Sequence, residues 1–88
     1  MIWGIEFLQE AEKDMKRLDH SVQIQVLKGI KKVSKNPLPV SQGGYGKPLG
    51  NKENTNLTNL MKIKFRDIGI RVVYKIEYVD EVMKIIVI

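Results

Sequence analysis

The hydrophobic period of the chain changes near Leu57, and this change constrains the fold more than any other feature of the sequence. Before it, apolar residues recur at steps of three and four, as they do on one face of an α-helix. After it, they alternate with polar residues, as they do along a half-buried β-strand. The chain has only 88 residues, which is the size of one domain. The sequence therefore predicts a single α+β domain over residues 1–88.

The first half predicts a strand followed by a helical hairpin. Residues 2–7 fit a short strand, and residues 8–18 and 20–35 each carry one apolar stripe. Asp19 stands in position to cap the second helix. Asn36-Pro37 should end that helix, because the residue before a proline is pushed out of the α region. The very short break between the two helices implies an αα-hairpin.

The second half predicts a meander of three antiparallel strands, covered on its apolar face by the two helices. We expect the strands at 60–66, 70–78 and 82–88, since turn-forming residues separate these runs. All three prolines of the chain lie in the stretch 36–56, which we interpret as one long irregular loop.

Composition excludes several classes of protein. The chain has no Cys and a single His, which excludes a disulfide framework and makes a metal site improbable, so we expect no metal. No apolar run approaches the ~20 residues that span a bilayer, and the N-terminus lacks the pattern of a signal peptide. We therefore expect a cytoplasmic protein with no membrane association.

Positive charge is concentrated in the middle of the sequence. Residues 1–20 carry a net charge of −2, residues 21–66 carry +8, and residues 67–88 carry −1. Such a distribution suits a polyanion such as nucleic acid or an acidic protein partner, although a solvated lysine-rich helix face would produce the same count.

The strand expected at residues 60–66 is the most informative stretch. Lys62, Lys64 and Arg66 share one face of it, about 7 Å apart at each two-residue step. After the turn, Arg71 has the same parity as Lys75, and pairing of the two strands would bring Arg71 beside Lys64 or Arg66. Lysine can act as a general base when its neighbours lower its pKa, and arginine can stabilise a charged phosphate. The alternative is a solvated sheet face that happens to be basic.

Other candidates carry less weight. His20 adjoins the break between the helices and is better explained as a surface residue. The segment Gly43-Gly44-Tyr45-Gly46-Lys47 lacks the full spacing of a phosphate-binding loop, and no strand precedes it. Within it, Tyr45 is the aromatic residue that we expect to be most exposed.

The order of elements and three motifs together identify a resemblance. The motifs are Gly46-Lys47-Pro48-Leu49-Gly50, Leu60-Met61-Lys62-Ile63-Lys64-Phe65-Arg66 and Gly69-Ile70-Arg71-Val72-Val73-Tyr74. Over essentially its whole length, the chain resembles the RelE/ParE superfamily of type II toxins. The resemblance implies an N-terminal strand, a helical hairpin and a three-stranded antiparallel meander, with both helices packed on one sheet face.

The resemblance also implies an activity and partners. RelE-type members cleave mRNA in the ribosomal A site by attack of an RNA 2′-hydroxyl on its own 3′ phosphate, without a metal or cofactor. By motif position, Lys62 and Lys64 match paired strand lysines, one of which is the base, and Arg71 matches the arginine on the scissile phosphate. Further RNA or phosphate contacts are expected from Arg66, Lys75 and Lys47. The implied partners are a cognate antitoxin, the ribosome and mRNA.

The sequence departs from the superfamily at its end. Members continue past the last strand with a short basic segment and a helical turn, whereas this sequence stops at Ile88. We expect from this a form without that tail, whose exposed C-terminal strand is free to pair with a second copy. Two alternatives to the nuclease remain open: a ParE-like inhibitor of DNA gyrase, and an inactive toxin fold that only binds antitoxin.

Overall fold

The computed structural model describes residues 3–48 and 60–88 of the chain. Within them lie two helices, one turn of 3-10 helix and five strands. In chain order, the elements are β1 (Gly4–Phe7), α1 (Gln9–Lys16), α2 (His20–Val33), a 3-10 turn (Val40–Gln42), β2 (Lys47–Pro48), β3 (Leu60–Phe65), β4 (Ile70–Glu77) and β5 (Val82–Val87). The two helices and the four longer strands begin and end within three residues of the positions predicted from the sequence.

The strands form one sheet with the order β1-β5-β4-β3-β2. Its centre is the predicted meander, in which β3 pairs with β4 and β4 with β5, both antiparallel. Two flanking strands complete it, since β1 lies parallel to β5 and β2 lies antiparallel to β3. The segment that contains both helices therefore carries the chain from one edge of the sheet to the other.

The C-terminal strand is not a free edge over its paired length, so the prediction that this strand is exposed is wrong. β5 lies between two partners, with β1 on one side and β4 on the other. Residues Val82 to Ile85 pair with Gly4 to Phe7, and the Ile88 N–H donates to the Asp14 carboxylate at 3.2 Å. Because Val82–Ile85 are paired on both sides, this part of β5 offers no unpaired backbone to a second copy.

The core lies between the helices and one face of the sheet, as predicted. It is formed by alternate residues of β3, β4 and β5 and by the apolar stripes of the helices. The buried side chains are Ala11, Val26, Ile30, Val33, Met61, Val72, Tyr74, Ile76, Met83 and Ile85. Leu27 of α2 lies outside this core and is exposed. No helix in the described part of the chain is long and apolar enough to cross a membrane.

Helix α2 packs closely on the sheet because Gly29 has no side chain. A Cβ atom at Gly29 would collide with the outer edge of the Phe65 ring. At the start of α2, Asp19 occupies the N-cap position as predicted, but its side chain makes no capping hydrogen bond.

Residues 36–48, which follow α2, are held in place by hydrogen bonds of their own. Asn36 accepts from the Tyr45 N–H through its backbone oxygen at 2.9 Å and donates through its side chain to Gly43 O at 3.3 Å. The loop is fixed to the core by the buried Tyr74 hydroxyl, which donates to Pro37 O at 2.8 Å. Burial raises the pKa of Tyr74, so this donor keeps its proton. The rest of the predicted loop, residues 49–56, lies outside the described residues.

Candidate nucleic-acid interface

Strand β3 carries a row of cations on the face opposite the core. Because side chains alternate along a strand, Met61 points into the core while Lys62 and Lys64 point away from it. Lys64 is exposed and Lys62 is half-buried. Arg66 continues the row and begins the turn that leads to β4. The predicted parity of this strand is confirmed.

The neighbouring strands add two more cations to the same face. Lys47 of β2 is the register partner of Lys62, and Arg71 of β4 is the register partner of Lys64. Side chains that face each other across paired strands have Cβ atoms about 4.5–5.5 Å apart. Lys47, Lys62, Lys64, Arg66 and Arg71 therefore form one group on three adjacent strands and the turn after β3, which we call the cationic cluster.

The turn between β3 and β4 explains why Arg71 meets Lys64 rather than Arg66. It runs from Arg66 to Gly69, and Gly69 adopts a φ of 64°, a left-handed conformation that glycine adopts without strain. With these four residues in the turn, the first paired residues are Phe65 and Ile70, so the next pair places Lys64 opposite Arg71.

The cluster lowers the pKa of Lys64 below its ordinary value. The largest cause is the positive charge of Lys62, followed by that of Arg71 and by partial loss of hydration. Arg66 and Lys47 act in the same direction. Nearby positive charges disfavour the protonated ammonium, so Lys64 gives up its proton more readily than an isolated lysine.

Two open grooves border Lys64. One, of about 480 Å³, is lined by Lys64, Phe65, Arg66, Gly69, Ile70 and Arg71. The other, of about 330 Å³, is lined by Tyr45, Lys47, Lys62, Ile63, Lys64, Arg66 and Asp67. Lys64 and Arg66 line both grooves, so a ligand in either groove meets these two cations.

The sheet face is not uniformly basic. Lys75 lies on the same face, but its register partners are Leu60 and Lys84, and it lines neither groove. Lys84 approaches Glu77 at 3.8 Å. Glu77 thus accompanies a cation on the β4–β5 side of the face. Neither ion pair found among the described residues involves the cationic cluster, although Asp67 lines one of its grooves.

The structure brings together five of the six site residues named from the sequence and sets Lys75 apart. Sequence reasoning did not place Tyr45 and Asp67 in the site, although both line the groove beside Lys62. Asp67 lies among the turn-forming residues between two predicted strands, and the sequence indicates only that Tyr45 is exposed. The sequence does not indicate β2, because a strand of two residues is too short to show alternation. It is β2 that brings this segment to the edge of the sheet.

The arrangement suits a chain of phosphates. The spacing of the cations across and along the strands is comparable with the distance between successive phosphates in an extended single strand, and arginine and lysine are the residues that contact nucleic-acid backbones. When lysine and arginine side chains neutralise phosphates, the counterions condensed on the nucleic acid are released, which favours binding. The geometry favours an anionic polymer over a small neutral ligand.

Solved structures similar to this chain include the isolated RelE toxin and RelBE toxin–antitoxin complexes. The isolated E. coli RelE toxin is 25% identical, with a TM-score of 0.77 over 97% of this chain and 80% of that one. A chain of the intact E. coli RelBE toxin–antitoxin complex is 22% identical, with a TM-score of 0.75 over 97% of this chain and 92% of that one. The RelBE2 complex from Mycobacterium tuberculosis gives 22% identity and a TM-score of 0.72 over 97% and 93% of the two chains.

No family model matches the chain, and no curated protein matches it. The likeness is therefore one of structure, and it extends over both helices and the whole described sheet. An α+β chain with this element order, this meander and this coverage has the fold of the RelE toxins.

Proposed function

We propose that the protein is the toxin of a type II toxin–antitoxin pair and acts in the cytoplasm as a ribosome-dependent mRNA endonuclease. The observation that carries the proposal is the cationic cluster, in which Lys64 and Arg71 face each other across two strands beside two open grooves. The RelE-like fold is consistent with this function.

Lys64 and Arg71 have different roles in a metal-independent cleavage. Lys64, whose pKa is lowered by its neighbours, takes the proton from an RNA 2′-hydroxyl. The 2′ oxygen attacks the adjacent phosphorus, the bond to the 5′ oxygen breaks, and that oxygen takes up a proton from water. Arg71 stabilises the extra negative charge on the phosphate during the attack. The products are a 2′,3′-cyclic phosphate and a 5′-hydroxyl.

The remaining cations hold the substrate in place. Lys62 and Lys47 face each other beside Lys64, and Arg66 borders both grooves. These three bind the flanking phosphates, which fixes the reacting 2′-hydroxyl in line with the phosphate. Lys75 contacts RNA further along the strand.

An antitoxin is the second partner in the proposal. The similar solved structures include RelBE toxin–antitoxin complexes. A surface with a net positive charge attracts an acidic segment, so an antitoxin that covers the cationic cluster would block RNA at the same time.

Cleavage on programmed ribosomes tests the proposal. Primer extension should find cuts confined to the A-site codon with the wild-type chain. Lys64→Ala and Arg71→Ala should each reduce the cleavage rate by about 10²-fold or more, because each removes a group that acts on the reacting atoms. Lys13→Ala is the matched control, since Lys13 is an exposed lysine of α1 whose neighbour is Glu10.

Three results would contradict it. Unchanged A-site cleavage in Lys64→Ala and Arg71→Ala would exclude these residues as the catalytic pair. Inhibition of gyrase supercoiling without mRNA cleavage would identify a ParE-like poison. Tight binding of the antitoxin without either activity would identify an inactive toxin fold.

A further inference from the structure

An exposed aromatic ring borders the cationic cluster. The Tyr45 side chain is 52% exposed and lines the groove that also contains Lys47, Lys62 and Lys64. It does not belong to the hydrophobic core, and none of the side-chain hydrogen bonds found in residues 3–48 and 60–88 uses its hydroxyl. An aromatic ring that neither fills the core nor satisfies a buried polar group is available to a ligand.

The backbone under Tyr45 is held firmly. Its N–H donates to Asn36 O at 2.9 Å, and the next N–H, that of Gly46, donates to Leu38 O at 2.9 Å. A Cβ atom at Gly46 would collide with the Tyr74 hydroxyl and with Pro37 O. The loop thus packs directly against the buried hydrogen bond that fixes it to the sheet. The backbone that carries the exposed ring is therefore held in place.

Positive charge flanks the ring on more than one side. Lys32 of α2 places its Nζ over the ring, 6.0 Å from the centroid. Lys47 lies two residues further along the chain and pairs with Lys62 across the strands. Phosphates on either side of a base that reaches Tyr45 would therefore meet cations. This combination of a π face with a positively charged groove is typical of surfaces that bind single-stranded nucleic acid.

We propose that Tyr45 is a stacking platform for one RNA base, next to the phosphate held by the cationic cluster. The inference rests on the proposed function and adds to it a residue that contacts the base rather than the backbone. Stacking accepts any base but is stronger for purines, which have the larger π face. Tyr45 therefore gives the site a moderate preference for a purine at one position. It positions the substrate and takes no part in proton transfer.

Binding of short non-cleavable RNAs to the isolated protein tests this directly. The probes are fluorescein-labelled 2′-O-methyl RNAs that lack the attacking hydroxyl and differ at one central position, which carries a purine, a pyrimidine or no base. Fluorescence anisotropy at fixed salt gives the dissociation constants for the wild type, Tyr45→Phe and Tyr45→Leu. Because the side chain is exposed and the variants keep the backbone hydrogen bonds, all three should fold, and circular dichroism verifies this.

We expect the wild type and Tyr45→Phe to bind the base-containing RNAs about tenfold more tightly than the abasic RNA. In Tyr45→Leu, this difference should disappear while the affinity for the abasic RNA stays the same. Equal abasic penalties in Tyr45→Leu and the wild type would overturn the proposal, and so would a wild type that shows no penalty or binds none of the RNAs.

The ribosome assay separates this failure from failure of the proposed nuclease. A-site cleavage without an abasic penalty would reject the stacking platform alone. An abasic penalty that depends on Tyr45, in a protein that cleaves no mRNA, would leave the platform in place and reject the nuclease.

Discussion

At the scale of single residues, the cationic cluster is unfavourable for folding and favourable for binding. Lys64 and Arg71 are direct cross-strand partners, and like charges in that position destabilise a sheet. Lys47 and Lys62 repeat the arrangement one strand away. A surface selected only for stability would intersperse acidic residues here. The repulsion is relieved when an anionic polymer covers the face, which is the physical reason to regard it as a binding surface.

The lowered pKa of Lys64 yields the first prediction at this scale. Replacing Lys62 with Gln removes the largest cause and should raise the pKa of Lys64. An NMR titration that follows the side-chain Cε and Hε signals of the lysines would measure the change without depending on activity. Lys13→Gln, on α1, should leave the Lys64 titration unchanged. A titration of Lys64 that is identical in wild type and Lys62→Gln would contradict the assignment.

The sign of the effect on stability follows from the same shift. The pKa of Lys64 is lower in the folded chain than in the unfolded chain, so between the two values the unfolded chain binds more protons. Stability therefore increases with pH across that window. Since the group is exposed, added salt should weaken both the pKa shift and this dependence.

At the scale of elements, the sequence predicted what depends on local pattern. The period of three and four residues located both helices, and the alternation in Leu60–Phe65 placed Met61 in the core and the lysines outside it. These features are visible because they repeat within a few residues. The close packing of α2 against β3 depends on residues that are far apart in the sequence, and a local pattern does not indicate it.

Two parts of the sheet were not predicted, because they depend on contacts between distant segments. The strand Lys47–Pro48 has two residues, and only its pairing with β3 defines it as a strand. The place of β1 beside β5 is set by pairing between the two ends of the described chain. The same long-range pairing of β2 brings Tyr45 into the site, which is why the sequence indicated its exposure but not its location.

The contact between Gly29 and Phe65 gives a prediction at this scale. Alanine is a better helix former than glycine by about 1 kcal/mol, so Gly29→Ala would ordinarily stabilise α2. Here the added methyl group would collide with the Phe65 ring, and the gain should be lost or reversed. In a Phe65→Leu background, which removes the outer part of the ring, the same substitution should stabilise the protein by roughly 0.5–1 kcal/mol.

Urea denaturation of the four proteins in this double-mutant cycle measures the coupling. Equal effects of Gly29→Ala in the two backgrounds would show that the helix and strand do not meet at this point. A coupling in the expected direction would support the close approach that places α2, and with it Lys32, beside the loop that carries Tyr45.

At the scale of the whole molecule, the uneven distribution of charge along the sequence becomes an uneven distribution of charge on the surface of the folded protein. The acidic Glu6 lies on the edge strand β1 and Glu77 lies beside Lys84, whereas the cationic cluster occupies β2, β3 and the start of β4. Within the sheet, positive charge is therefore concentrated on the side of β2 and β3. Such a field orients a long polyanion during its approach before any side chain makes contact.

This asymmetry predicts how RNA binding responds to salt. For single strands, the logarithm of the binding constant falls with the logarithm of salt concentration, with a slope of about −0.7 for each phosphate that the protein neutralises. Lys64→Ala or Arg71→Ala should each reduce the magnitude of that slope by about 0.7, because each removes one cation of the cluster. Lys13→Ala should leave it unchanged, since α1 lies on the opposite side of the sheet from the cluster. Anisotropy titrations of a 2′-O-methyl RNA over a series of salt concentrations give the slopes. If the three variants reduced the slope equally, RNA would be held by the net charge of the molecule rather than by the face that the fold assembles.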